Sequence, residues 1–570
     1  MTTIYGTAGN DFVISAVSNR TYDGQGGHDT INTAGATGVT IYNPFASHDI
    51  YTIGSNGNII ASEMGNDSII VSLGSVNDTI DTQAGGNDTI NAGAGLGQIL
   101  VAAFGDKTGH NLITLGAGNN EVRLGGPGFD TITAGSGNNL INEFYVNVIS
   151  DPHSALLHDS ITGGPNSFTL GAGNNTFVGS GFFTINDSLT AGNGNNNIDT
   201  QLSVGVIIKL GNGNNSLYLH GGHPGSSNPD QITVGSGNNT ITGSQGSDIF
   251  TLGGGSNYID AQGSLSETKI INIAGGSGSN TIIGGLGSNT INITGGSGHD
   301  MLYGNISNDT ISTGSGFDIV DGKGGFNNIT ANGHSLVYIG TVALSADSII
   351  GNANDTVSAN YSAQAVKITL GAAGVSITHG ISADSVTGVT NYILSQFNDT
   401  VTATSGAVEY SITAGPGNNS ISFAGNTGED TFGAGSGNST ATAGSGGNDF
   451  YAGYGSSVFN LGSGADEVYY NNYVLNANGT LKASGTNYPT TTVNNFVHGS
   501  DEIILDSTNL PAGTPAQIAA LLQTAVLNNI TYNAAGNIAT ITFGSAGHAN
   551  TLVITGLHAH LVASDFEFMT

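Results

Sequence analysis

Asp11, Asp29, Asp130, Asp248, Asp300, Asp309, Asp318, Asp430, Asp449 and Asp466 each stand sixth in a nine-residue phrase whose first half is rich in glycine. Carboxylates beside glycine corners, which leave main-chain carbonyls open, form a donor set for a hard divalent cation. Calcium accepts about six to eight such oxygens in loose geometry. Forty acidic residues against eight basic ones give a net charge of −32. Uncompensated charge of one sign opposes compaction, and bound cations relieve it, so metal binding then contributes to folding. The same sixth position is often asparagine, as at Asn120, Asn139, Asn175, Asn215, Asn239, Asn280, Asn289 and Asn419. A neutral oxygen lowers site charge and cation affinity. The asparagine copies are expected to be ion-free turns whose stacked amides help hold neighbouring coils.

The elements that position these residues follow from the phrase itself. Between Gly275 and Thr330 it runs six times, as GGSGSNTII, GGLGSNTIN, GGSGHDMLY, GNISNDTIS, TGSGFDIVD and GKGGFNNIT, with only Ile293-Thr294 intervening. It already stands at Gly6–Ile14 and is still present at Leu461–Tyr469. Glycine supplies backbone angles closed to other residues, so the first half turns. The second half alternates, as in Asp29-Thr30-Ile31-Asn32, sending one apolar side chain inward and its neighbours out. A turn and short strand repeated at a fixed period stack as a solenoid, because one repeat cannot bury its apolar residue alone.

This nonapeptide resembles the RTX family, the hemolysin-type calcium-binding repeat of secreted bacterial proteins, whose G-G-x-G-x-D-x-(apolar)-x pattern builds a calcium-binding β-helix. The resemblance runs unevenly over residues 6–470. It implies an all-β fold, a parallel β-roll or β-helix solenoid with two nonapeptides per turn and calcium between stacked corners. It further implies that the aspartates of repeats n and n+2 share an ion. On that geometry Asp11 pairs with Asp29 and Asp300 with Asp318, each eighteen residues apart, while Asp309 faces Asn327. Asp430, Asp449 and Asp466 are spaced nineteen and seventeen and need one-residue loop adjustments, and Asp130 and Asp248 are expected to lack an acidic partner in register. The tail Leu561–Thr570 resembles the uncleaved signal of type I secretion substrates, and Asn495–Leu505 resembles the strand opening the terminal module of that family. The resemblance thus implies export through type I secretion machinery to the cell surface or beyond.

Five segments are expected: an N-terminal repeat solenoid (1–142), a central one (143–330), divergent coils or an inserted β-domain (331–410), C-terminal repeats (411–470) and a β-rich capping module (471–570). The second segment opens on an interruption around Asp151-Pro152-His153. One helix is predicted in the module at Thr514–Gln523, capped by Thr514, started by Pro515 and presenting Ile518, Leu521, Leu522 and Ala525 on one face. Strands are predicted at Ile538–Phe543 and Thr551–Thr555. The chain has no cysteine, hence no disulfide framework. Eight scattered Lys and Arg residues disfavour nucleic-acid binding, and no stretch reaches the about 18 apolar residues of a membrane span. Walker, HExxH and strand–elbow–helix contexts are missing, which argues against nucleotide, zinc-protease and lipase chemistry. The expectation is a calcium-binding, non-enzymatic protein that self-assembles as a surface layer, sheet or filament. The alternatives are an adhesin or matrix protein binding surface glycan and a carbohydrate-active β-helix enzyme.

Overall fold

Segments such as Thr30–Thr33 and Thr40–Asn43 alternate buried and more open positions, the period-two pattern of a strand with one wet face. Each pairs in parallel with the segment one turn away rather than with its sequence neighbour: Thr30 lies beside Ile50, and Thr40 beside Ile59. Successive strands therefore fall alternately on two parallel sheets, and the protein is an all-β parallel solenoid with one α-helix among the described residues. The computed structural model describes residues 2–43, 48–54, 57–62, 65–71, 77–82, 86–92, 99–104, 110–125, 130–144, 166–179, 186–200, 205–220, 229–244, 246–261, 270–285, 290–342, 345–475, 480–483, 489–506, 514–545 and 547–569. The interruption expected at Asp151-Pro152-His153 and the repeat residue Asn289 lie outside them. The chain forms two units, Met1–Met301 and Leu302–Thr570.

In the first unit one inner column runs in strict register from Ile31 through Tyr51, Ile69, Ile90, Ile113 and Ile132. It continues through Phe168, Leu189, Ile208 and Ile232 to Phe250. The other sheet stacks Ile198, Leu217, Ile241, Ile259 and Ile282 in the same way. All are buried. At about 1.5–3 kcal/mol per buried side chain the columns carry the fold, while a lone rung would leave both faces of its apolar residue wet.

In the second unit Val320, Val337, Val357, Tyr392, Ile412, Phe432, Phe450 and Val468 are buried inner residues of one sheet. Within 331–410 the coils continue through Ser348–Ile350, Thr356–Ser358, Asn391–Ile393 and Thr400–Ala403. An antiparallel meander, Val366–Gly371, Gly374–His379 and Ser382–Thr387, is spliced into the other sheet. Its outer strands pair in parallel with Thr400–Ala403 and Ser348–Ile350, so the sheet passes through the insertion without a break.

The terminal segment holds the helix Pro515–Asn528. Thr514 and Gln517 form a reciprocal capping box with Pro515 in the first turn. The helix runs five residues past the predicted end, and Val526 is buried with Ile518, Leu522 and Ala525, whereas Leu521 is only half-buried. Two antiparallel strands, Ile538–Ser545 and His548–Thr555, follow, and the second joins Thr490–Asn494 in parallel. Phe543 stacks against Tyr470 and Tyr473 at 4.9 and 5.0 Å.

Stacked corners demand glycine where one turn lies directly on the next. Gly213 has φ +144°, and a Cβ there would sit 2.0 Å from the Gly194 carbonyl oxygen, whereas Gly35 has φ +89° with open space around it. Gly213→Ala is expected to destabilise the first unit by about 2–4 kcal/mol, backbone strain and overlap adding, against about 1 kcal/mol for Gly35→Ala. Melting temperatures of the two variants measured side by side check this; equal losses would refute the stacking argument.

Candidate metal-binding corners

Apart from Asp449, the sixth residue of each described phrase sits at the mouth of a strand with its side chain turned inward, half-buried at Asp11 and buried elsewhere, where it links its own turn to the one before. On one sheet of the first unit the Asp11 N–H donates to Asp29 Oδ1 (2.9 Å), Asp29 to Asp49 (2.6 Å), Asp49 to Asp67 (2.9 Å) and Asp67 to Asp88 (3.0 Å). The column continues through Asn111 to Asp130, Asn166 and Asp187. Further on, Asp230 and Asp248 stand side by side in register.

The other sheet carries a different column. Asn120 Nδ2 donates to Asn139 Oδ1 (2.9 Å), and the chain of amides passes through Asn175, Asn196, Asn215, Asn239, Asn257 and Asn280 to Asp300, with steps of 2.7 to 3.0 Å. Each amide also donates towards glycine carbonyls of its own corner, as Asn196 does to Gly192 (3.3 Å) and Gly194 (3.1 Å). The Nδ2 group therefore occupies the place a cation would take. A carboxylate carries no such donor, so an aspartate corner draws one from elsewhere, as Asp11 Oδ2 does from the Thr7 N–H and Asp309 Oδ2 from the Asn305 N–H.

Several corners bring carboxylate and carbonyl oxygens together, the surroundings that suit calcium. A Cβ on Gly6 would lie 2.5 Å from Asp11 Oδ2 and 2.7 Å from the Gly24 carbonyl, and one on Gly304 would lie 2.6 Å from both Asp309 Oδ2 and the Gly322 carbonyl. Among the described residues no three His, Asp or Glu side chains converge on one point. An ion held here takes carboxylates singly or in pairs, and main-chain carbonyls complete its shell.

Other corners carry their own substitute. Asn43 Nδ2 lies between Asp29 Oδ2 (3.1 Å) and Asp49 Oδ2 (2.7 Å), and the Tyr51 hydroxyl donates to Asp49 (2.7 Å). Asn426 Nδ2 donates to both oxygens of Asp430 at 2.8 and 2.9 Å. In the meander the buried His379 places Nε2 3.0 Å from Asp384 Oδ2, and Asp384 Oδ1 accepts the Asp347 N–H at 2.7 Å.

The expected pairs resolve as follows. Asp11 and Asp29 are on consecutive rungs, and the Asp309 N–H donates to Asn327 Oδ1 at 2.9 Å. Asp300 ends the asparagine column of the first unit, and Asp318 is buried in the strand Phe317–Asp321 of the second, so that pair falls on either side of the division. Asp130 is flanked by Asn111 and Asn166, without an acidic neighbour in its column. Two expectations are corrected. Asp248 does have an acidic partner in register, Asp230, eighteen residues earlier. Asp449 is outside the column: Asn448, eighteen residues from both Asp430 and Asp466, stands in it. No loop adjustment is needed, and Asp449 instead lies on the strand beside Glu467. Sequence reading also missed Asp49, Asp67, Asp88 and Asp347, whose glycine quartets are eroded. The eighteen-residue interval from Asp49 to Asp67 was the available signal.

Burial pushes these carboxyls towards the neutral form. Desolvation raises Asp88, Asp230 and Asp430 to about 6 and Asp347 to about 7, with Asp384 adding repulsion at Asp347. Asp248 is driven well up by burial and then by Asp230, while Asp29, Asp130, Asp300 and Asp466 rise mainly through burial.

A folded-state pKa above the unfolded value of about 3.9 means that the native chain holds protons the unfolded chain has lost. Stability from these groups is thus complete below pH ~4 and is lost as pH rises through about 6–7. In chelator the melting temperature is expected to fall between pH 4 and pH 7, and added calcium at pH 7 should restore it. A flat profile in chelator would contradict the buried acidic column.

A converse substitution isolates the donor. Asn215→Asp removes the amide bonds to Gly213 and Asn239 and sets a carboxylate against carbonyl oxygens. It is expected to cost about 3 kcal/mol in chelator and to gain back stability with calcium. A thermal shift series with and without calcium reads both.

The segments 2–31, 119–142, 224–259, 272–292 and 294–329 match the family model described as RTX calcium-binding nonapeptide repeat. No curated protein matches the chain.

Proposed function

We propose that this chain, an RTX repeat protein, is an extracellular, calcium-folded structural protein that assembles with copies of itself at or near a bacterial cell surface. RTX nonapeptides are calcium-binding, and RTX proteins are typically exported by type I secretion. The observation that carries the reading is the consecutive run of aspartates at one edge of the first unit, from the half-buried Asp11 through the buried Asp29, Asp49, Asp67 and Asp88. Asp11 with the Gly24 carbonyl, Asp309 with the Gly322 carbonyl, and the Asp230–Asp248 pair are the residues that would hold calcium. Bound there, the ion supplies the positive charge that the aspartate corners lack and the asparagine corners carry as an N–H.

Several features support a structural rather than catalytic role. The columns of aspartates are engaged with main-chain N–H groups, and most strands of the described chain only stack rung on rung. No helix among the described residues is long and apolar enough to cross a membrane. A net charge of −32 favours an extended chain where calcium is scarce, suited to passage through a secretion channel, and folding where calcium is plentiful.

Calcium titration of purified full-length protein, followed by circular dichroism and light scattering together, tests both halves of the proposal. A β-signal and large particles should appear with calcium and vanish with chelator. Folding without growth in size would remove self-assembly and leave the calcium sites. A fold indifferent to chelator, with no ion found by elemental analysis, would remove calcium-dependent folding.

A further inference from the structure

On the outer face of the second unit Tyr303, Asp321 and Tyr338 end three strands, Met301–Tyr303, Phe317–Asp321 and His334–Tyr338, and Asp321 is in register with Tyr338. Asp321 faces outward yet is only 4% exposed, because its neighbours close over it. Lys323 Nζ lies 2.7 Å from its Oδ2 and 5.3 Å from the centre of the Tyr303 ring. The Thr341 hydroxyl and the Lys323 N–H each donate to Asp321 Oδ1 at 2.9 Å. Tyr361, 63% exposed, packs edge-on to Tyr338 with ring centres 5.0 Å apart. Lys323 holds φ +63°, a left-handed conformation where glycine, abundant in this chain, would be free of strain.

We propose that this cluster is a binding platform for a neutral hexose chain. Aromatic rings offer flat apolar faces to the C–H face of a pyranose. The half-exposed ammonium of Lys323, held in place by the buried Asp321, supplies the donor that sugar hydroxyls need. The ligand is neutral because Asp321 already matches the Lys323 charge and the protein's net charge of −32 repels polyanions. That repulsion also excludes nucleic acid. The platform comprises six side chains, too few for the roughly 800 Å² per partner of a stable protein interface. The binding is separate from calcium folding and from self-assembly, and it gives a surface glycan a defined place on the chain.

The test is calorimetric titration of the full-length protein in calcium with cellohexaose, maltohexaose, laminarihexaose and mannohexaose, and with an oligouronate of equal length. At least one neutral hexasaccharide should bind, and Tyr361→Ala and Lys323→Met should each weaken it by about tenfold or more. Tyr361 is largely exposed, so its variant keeps the wild-type circular dichroism and calcium response, which separates lost binding from lost fold. No binding by any neutral hexasaccharide, binding of the oligouronate alone, or affinity unchanged in both variants would overturn the proposal.

Discussion

A single hydrogen bond, from the main-chain N–H at the mouth of one strand to the side-chain oxygen at the same place one turn on, sets what every corner of this molecule can do. It recurs with aspartate as acceptor from Asp11 to Asp88 and with asparagine from Asn139 to Asn257. The acceptor oxygen is common to both residues, so both keep the turns in register. They differ in the second atom. An amide nitrogen donates onward to the next turn and towards the corner carbonyls, whereas a carboxylate adds another acceptor. One atom thus divides the columns into stretches whose amides satisfy one another and stretches whose second oxygen takes its donor from outside the column.

How much of this the sequence discloses depends on whether the glycine phrase is intact. Where it is, as at Gly6–Ile14 and Gly24–Asn32, the strand, the buried Ile31 and the Asp11–Asp29 step follow from composition and period. Where the loop lengthens, the strand and its leading aspartate persist but the glycines do not, so Asp49 and Asp67 hide among unremarkable residues. In register the column steps by eighteen to thirty-six residues in the first unit, so added loop length does not disturb the stack. Neighbouring acids mislead in the opposite direction. In Asn448-Asp449 the charged residue draws attention, yet register belongs to Asn448 and puts Asp449 on the strand's flank. The meander at 366–387 was illegible for a third reason: an antiparallel excursion that rejoins its sheet leaves the same alternation as a continuing coil.

Stability and charge are coupled through these columns. Isolated buried carboxylates are costly to ionise, and neighbours of the same charge add to the penalty. A row of them resists forming unless protons, cations or amides intervene. All three remedies act on the same oxygens, so the ion-free fold is expected to tolerate acid better than neutrality. The sign is opposite to that of proteins whose carboxylates are stabilised by salt bridges, where acid removes the favourable form.

Dependence on an external cation is therefore graded along the chain rather than uniform. At Asp29 and Asp49 the amide of Asn43 already stands between the carboxylates, at Asp430 Asn426 reaches both oxygens, and at Asp384 the imidazole of His379 fills the role. These corners close without help, as do the asparagine rungs. At Gly6 and Gly304 the carboxylate oxygen takes a local main-chain N–H, from Thr7 and Asn305, with the Gly24 and Gly322 carbonyls near the same corner, and at Asp230–Asp248 one carboxyl comes up against another. Because each turn of a solenoid gains stability mainly from its immediate neighbours, pre-satisfied rungs form segments that stand independently, and the rungs between them decide whether a whole unit is continuous. On the proposed reading, a few cation-dependent corners would suffice to make folding of a whole unit respond to calcium, and the many asparagine rungs would sharpen that response by keeping the rest of the column neutral.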